Sequence, residues 1–228
     1  MPNRPARGGE RKVATVSGEL IWVDCEMTGL DLTSDALIEV AALVTDGELN
    51  VLGEGIDLVI KPSEAVLDQM GDFVRTMHAS SGLLDELAAG LTLADAEQQV
   101  LAYLRSQVPE SRRAPLAGNT IGTDRAFLAR DMPELETYVH YRNVDVSSVK
   151  ELARRWFPRS YYAAPAKSGN HRALADIRES IEELRYYREA IFVAPPGLDT
   201  IQLREVAARH QGALSSPEVT EEASLPPP

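Results

Sequence analysis

A short apolar run, Leu20-Ile21-Trp22-Val23, leads straight into two carboxylates, Asp24 and Glu26, with only Cys25 between them. Such a run reads as a buried strand. On a strand, residues i and i+2 face the same way, so both carboxylates arrive at one place near the strand's end. Burying two like charges there is costly unless a cation joins them. One cation, or two adjacent ones, would suit the pair. Chance is the competing explanation: with 35 acidic residues in 228, composition alone yields about five acidic-x-acidic pairs. The position behind an apolar strand argues for a metal site; the spacing by itself does not.

The rest of the chain arranges itself around this strand. Ala36 to Thr45 reads as a second strand. Ile56 to Lys61 reads as a third, with Gly53 and Gly55 as a turn before it. After Pro62 the pattern turns helical. Thr92 to Asp95 resembles a capping box with Asp in place of the usual Glu, and Ala96, Val100, Leu101 and Leu104 recur on one helix face. Pro115 to Gly118 is a fourth strand, with a helix expected over about 124–131. Asn143 to Val146 is a fifth, followed by a helix through Trp156. His171 to Phe192 reads as the last strong helix, with Leu174, Ile177, Ile181 and Leu184 as its apolar stripe, stopped by Pro195-Pro196. Three early strands followed by helices interleaved with two more point to an α/β fold with a mixed sheet. Residues 1–17 are expected to be a flexible leader, 18–194 the working domain, and 195–228 an extension. That extension would hold a helix from Asp199 to about His210 and a disordered tail from Ser215 rich in Glu and Pro.

Two further stretches carry chemistry. Gly118-Asn119-Thr120-Ile121-Gly122-Thr123-Asp124 leaves a strand through small residues and delivers a carboxylate at a helix start. Asp124 there is either a metal ligand or a helix cap. In His171-Arg172-Ala173-Leu174-Ala175-Asp176, five residues on one continuous helix turn through about 500°, leaving the end side chains about 140° apart. The two meet better if His171 lies on the loop or first turn and Asp176 inside the helix. Asp176, beside Ile177 on the apolar stripe, points at least partly inward. The alternatives are a surface His and an Asp paired with Arg172 or Arg178.

Taken together and in this order, these residues resemble the DEDDh 3′→5′ exonuclease family. They are Asp24-x-Glu26 on the first strand, Asp124 after the small-residue loop, and His171-x4-Asp176 near the last helix. The similarity is greatest to the oligoribonuclease branch. It is carried by Trp22-Val23-Asp24-Cys25-Glu26-Met27-Thr28-Gly29-Leu30, Gly118-Asn119-Thr120-Ile121-Gly122, His140-Tyr141-Arg142, Leu152-Ala153-Arg154-Arg155-Trp156 and Ala175-Asp176-Ile177-Arg178-Glu179-Ser180, and covers about residues 18–192. The resemblance implies an RNase H-like fold with a five-stranded mixed sheet flanked by helices. It implies that Asp24, Glu26, Asp124 and Asp176 hold two divalent cations, Mg²⁺ or Mn²⁺, about 4 Å apart, and that His171 is the general base. Activity should then rise through about pH 6.5–8 as a His of ordinary pKa deprotonates.

The same resemblance implies a closed pocket for short RNA fragments of about two to five nucleotides. Leu30 would wedge between bases, and Phe73, where relatives often carry Trp, would stack on one. His78, Thr120 and Ser147 would assist, with Thr120 at a position where Ser is common. Tyr141 and Arg142 would come from a second subunit and close the pocket at the 5′-phosphate, so a homodimer with shared active sites is implied.

The formal net charge of −12 argues against a broad basic surface for long nucleic acid, since such binding works by neutralising phosphates. It leaves room for a pocket in which cations supply the positive charge. With a single cysteine, Cys25, no intramolecular disulfide can form, which suits a reducing compartment. With no membrane-length apolar stretch, a cytoplasmic location is expected. The alternatives are a DNA-directed proofreading-type relative, a non-catalytic nucleotide-binding module, and a structural α/β protein with accidental acidic pairs.

Overall fold

The structure is a computed structural model that describes residues 18–166, 169 and 171–211. The expected leader and acidic tail lie outside the described residues. An antiparallel meander comes first: β1 (Leu20–Met27), β2 (Leu37–Thr45) and β3 (Val51–Val59). Four helices follow, α1 (Glu64–Gln69), α2 (Asp72–Ser80), α3 (Leu83–Glu86) and α4 (Leu93–Gln107). The remainder of the first unit alternates: β4 (Pro115–Gly118), α5 (Ile121–Asp131), α6 (Pro133–Tyr138), β5 (His140–Asp145), α7 (Val146–Trp156), α8 (Pro158–Tyr162) and α9 (Ala173–Ile191). The strands form one sheet in the order β3-β2-β1-β4-β5, with β4 parallel to β1 and β5 parallel to β4. This is the mixed five-stranded α/β sheet expected from sequence.

The chain divides into two units, 1–191 and 192–228. The described part of the second holds α10 (Thr200–His210), whose cap Asp199 accepts hydrogen bonds from the Ile201 and Gln202 amides.

Strand β1 lies at the centre of the sheet, and its alternation sorts its side chains. Ile21, Val23, Cys25 and Met27 enter a core with Val100, Leu101 and Leu104 of α4 and Phe127 of α5. Trp22 enters a second core on the opposite face with Ala41, Leu43, Ile177 and Ile181. Fully burying one such aliphatic side chain contributes about 1.5–3 kcal/mol. Asp24 and Glu26, in phase with Trp22, therefore face the side covered by α9. Strand β2 is buried along its whole length, which explains its nearly unbroken apolar sequence.

Several boundaries differ from the sequence expectation. Strand β3 begins at Val51, so Gly53 (φ 76°) and Gly55 (φ 89°) lie inside it, not in a preceding turn. A Cβ on Gly55 would come within 2.9 Å of Leu43 Cδ1 and 3.1 Å of Leu174 Cδ1. The glycine is there because α9 packs close over the strand. Helix α5 starts at Ile121, three residues before Asp124, because Thr120 turns the chain in the left-handed region (φ 53°). Strand β5 begins at His140, and Val146 already belongs to α7. At α4, Thr92 caps the Asp95 amide as expected, but the shorter Asp95 carboxylate accepts from the Thr92 hydroxyl at 2.7 Å instead of from its backbone.

Candidate active site

Three elements converge beside the end of β1. Glu26 supplies one carboxylate from the strand. Helix α9 supplies Asp176 from its first turn, and His171 lies just before that helix. One ligand atom from each of Glu26, His171 and Asp176 lies within 4.8 Å of the others, close enough to hold a single metal ion. The geometric objection to His171 and Asp176 is met by the loop placement, one of the two that the spacing favoured. The helix begins at Ala173, and His171 stands outside it with a left-handed backbone (φ 49°).

Asp124 reaches the cluster from α5. Its Oδ1 accepts the Cys25 amide at 3.0 Å, which locks the start of α5 onto the strand between the two carboxylates of the pair. Asp124 is thus no simple helix cap, since its carboxylate is spent on β1. Asp24 lies on the same face of β1, near enough to Asp124, Glu26 and Asp176 to feel all three charges.

The electrostatics are those of an acidic cleft waiting for positive charge. Burial pushes Asp24 well above the usual carboxylate range, and Asp124, Glu26 and Asp176 push it further. Glu26 is raised to about 8, by burial first and then by Asp176, Glu39 and Asp124, with Arg172 pulling the other way. Asp124 is raised to about 6 by burial, against the lowering effect of the hydrogen bonds it accepts from its own amide and that of Cys25. Clustered carboxylates that resist ionisation mark a functional site. Hard oxygen donors in this number suit a hard divalent cation.

The other expected site residues fall into two groups. Leu30 and Phe73 are 75% and 81% exposed, so both side chains are free to meet a ligand. Leu30 projects from a turn held by Asp35, whose carboxylate accepts from the Thr28 hydroxyl and the Asp31 amide. A Cβ on the adjacent Gly29 would come within 2.4 Å of that carboxylate, so the turn requires glycine. Phe73, Met77, Ser80 and His171 line an open cavity of about 420 Å³. That cavity runs from the exposed ring to His171.

Thr120 and Ser147 touch at the starts of α5 and α7, their hydroxyl oxygens 3.0 Å apart. The Thr120 amide donates to Ser147 Oγ and to Asp145 Oδ1, both at 2.9 Å. His78 is fully buried, its Nε2 2.9 Å from the Met27 carbonyl and its Nδ1 3.9 Å from Glu26 Oε2. Its side chain is thus placed beside Glu26 and shielded from solvent. Tyr141 and Arg142 lie on β5 at the sheet edge, exposed, with the guanidinium 5.4 Å from the ring centroid.

Sequence reasoning missed Glu39, Asn119 and Asp145. Glu39 is fully buried on β2, opposite Glu26; a lone carboxylate inside an apolar strand was the signal. Asn119 accepts from the Ser147 hydroxyl and donates to Ser180 Oγ and Glu183, linking the small-residue loop to α7 and α9. Asp145 caps α7 through the Ser147 amide while holding Thr120.

An exonuclease family model matches residues 21–184. The oligoribonuclease of Streptomyces avermitilis is 70% identical over 195 residues, 86% of this chain and 98% of the relative. That of Mycobacterium avium is 57% identical over 210 residues, 92% of this chain and 98% of the relative. The chain belongs to the oligoribonuclease family of exonucleases. As a member it is a phosphodiester hydrolase, a 3′→5′ exoribonuclease, and the DNA-directed, non-catalytic and purely structural alternatives fall away. Among solved structures, the zinc-bound exonuclease I of E. coli in complex with single-stranded DNA aligns with a TM-score of 0.60 at 15% identity. The alignment covers 85% of this chain and 43% of that one, less than half its length, and supports the RNase H-like fold that the family shares. Among the described residues, no helix is long and apolar enough to cross a membrane.

Proposed function

We propose that the protein hydrolyses short oligoribonucleotides, dinucleotides above all, from the 3′ end to 5′-mononucleotides, using two Mg²⁺ or Mn²⁺ ions in a homodimer that shares its active sites. The observation that carries this reading is the convergence of Glu26, His171 and Asp176 within 4.8 Å, beside the half-buried Asp24 and the buried Asp124. Asp24, Glu26, Asp124 and Asp176 would hold the cations, which supply Lewis-acid assistance to the attacking water and the departing oxygen. The chain's own part is to aim and exchange protons. His171, exposed at the mouth of the cleft, takes a proton from the attacking water. Leu30 and Phe73 would hold the bases, and Thr120 and Ser147, at two helix starts, would face a phosphate. A single small pocket closed at the 5′ end would favour the shortest substrates. Such chemistry suits the cytoplasm, where a lone buried Cys25 stays reduced.

The test is cleavage of 5′-phosphorylated RNAs of different lengths with Mg²⁺ or Mn²⁺ and with chelator. Dinucleotides should be cleaved fastest, and chelator should stop the reaction. Faster cleavage of long strands would overturn the length preference. The shared site has its own test, the mixing of Arg142→Ala and His171→Ala chains, each nearly inactive alone. Random pairing in a two-fold dimer restores about a quarter of the sites. No recovery on mixing would place Arg142 outside the partner's site.

A further inference from the structure

Arg172 stands between His171 and the first residue of α9, and its side chain joins two other elements. Its Nε donates to Glu39 Oε1 at 2.8 Å, and its terminal nitrogens donate to Glu86 Oε1 and Oε2 at 2.8 and 3.1 Å. Glu39 lies on β2 as the register partner of Glu26, and its second oxygen accepts the Ala173 amide at 3.0 Å. Glu86 ends α3. One guanidinium therefore pins the start of α9 both to the sheet, opposite the paired carboxylates, and to the helices that follow β3. A planar fork is suited to such a two-sided bridge, because its donors are fixed relative to one another.

His171 needs a fixture of this kind. A non-glycine residue in the left-handed region persists only where its surroundings over-determine it, and His171 sits there, exposed, at φ 49°. On its C-terminal side the first anchored side chain is Arg172. We propose that Arg172, held by Glu39 and Glu86, is a positioning residue that aims the His171 ring at the metal cluster. The inference rests on His171 being the base, as proposed above. Arg172 itself faces the two carboxylates and needs no contact with substrate.

The experiment uses the full chain, a 5′-phosphorylated dinucleotide and Mn²⁺. Arg172→Ala should lower kcat about 10–100-fold, the scale seen when a group orienting a reactive side chain is removed, with KM and the Mn²⁺-induced rise in Tm little changed. Glu86→Ala touches a half-exposed side chain and keeps the Glu39 contact, so it should show the same kcat-only pattern with a loss of at most about tenfold. It also keeps the idea testable if Arg172→Ala fails to fold. Arg172→Lys should recover only part of the rate, because a point charge cannot bridge both carboxylates. In a His171→Ala background, Arg172→Ala should cost nothing further, since a group acting through His171 has nothing left to aim. An undiminished kcat in both Arg172→Ala and Glu86→Ala, or a full further loss in the His171→Ala background, overturns the proposal. A wild-type chain that leaves the dinucleotide intact instead overturns the functional reading, and this inference with it.

Discussion

The cleft and its rim are built in opposite ways. In the cleft, Asp24, Glu26 and Asp124 are held by the central strand or bonded to it, largely withdrawn from water, and burial raises the pKa of all three, with neighbouring carboxylates adding to the rise at Asp24 and Glu26. On the rim, Leu30, Phe73 and Tyr141 stand mostly in solvent. The fold alone settles where the cleft residues are, whereas the rim residues stand in solvent, and under the proposed function a substrate or a second chain would cover them. Substitutions in the cleft should therefore act on kcat and on stability without metal, and substitutions on the rim on KM.

Asp24→Asn gives the largest expected effect. Turnover should fall below detection, while the metal-free protein becomes more thermally stable, because one of several crowded like charges is gone. A drop in metal-free Tm would show that the cluster is not strained, and the contrast with the rim would fail. His171→Ala comes next, with kcat lower by about 10²–10⁴-fold and the Mn²⁺-induced rise in Tm preserved. Loss of that rise would make His171 a ligand and not a base. Phe73→Ala should weaken transition-state binding by about 1–3 kcal/mol per stacked base, seen as raised KM with unchanged Tm. A fall in kcat alone would move Phe73 out of the binding rim.

The smallest effect is in the pH dependence of stability. Glu26 has its pKa raised from 4.5 to about 8 in the fold. The folded state then binds the proton more tightly than the unfolded state, and the stability linked to it is lost as pH rises through that interval. Metal-free Tm should decline between about pH 5 and 8, and the gain on adding Mn²⁺ should grow over the same range. Glu26→Gln should flatten much of the slope. An equal slope in wild type and Glu26→Gln would assign it to other groups.

Much of the cleft was legible in the sequence because strand periodicity fixes relative direction. Trp22, Asp24 and Glu26 share a face by phase alone, and the separation of about 140° favoured His171 on a loop or first turn, although the helix itself was expected from His171 and begins at Ala173. The edges of elements were less legible. Gly53 and Gly55 resemble a turn because glycine signals an unusual dihedral without saying whether a turn or a closely packed strand demands it. Asn119, Asp145 and the Glu39–Arg172 pair escaped because their meaning lies in partners distant along the chain; Glu39 and Arg172 are 133 positions apart. His78 could be placed near the site by likeness, but its burial beside Glu26 shows only in the structure.

Strand β1 is paired to β2 along its whole length and to β4 at Ile21 and Trp22, and it carries Asp24 and Glu26. Backbone amides on such a strand exchange with solvent only through the rarest and largest openings of a protein, whereas an edge strand such as β5 frays more readily. Partial unfolding would thus release the edge that carries Tyr141 and Arg142 before it disturbed the acidic pair; under the roles proposed above, a warmed protein would lose substrate binding before the acidic cluster came apart.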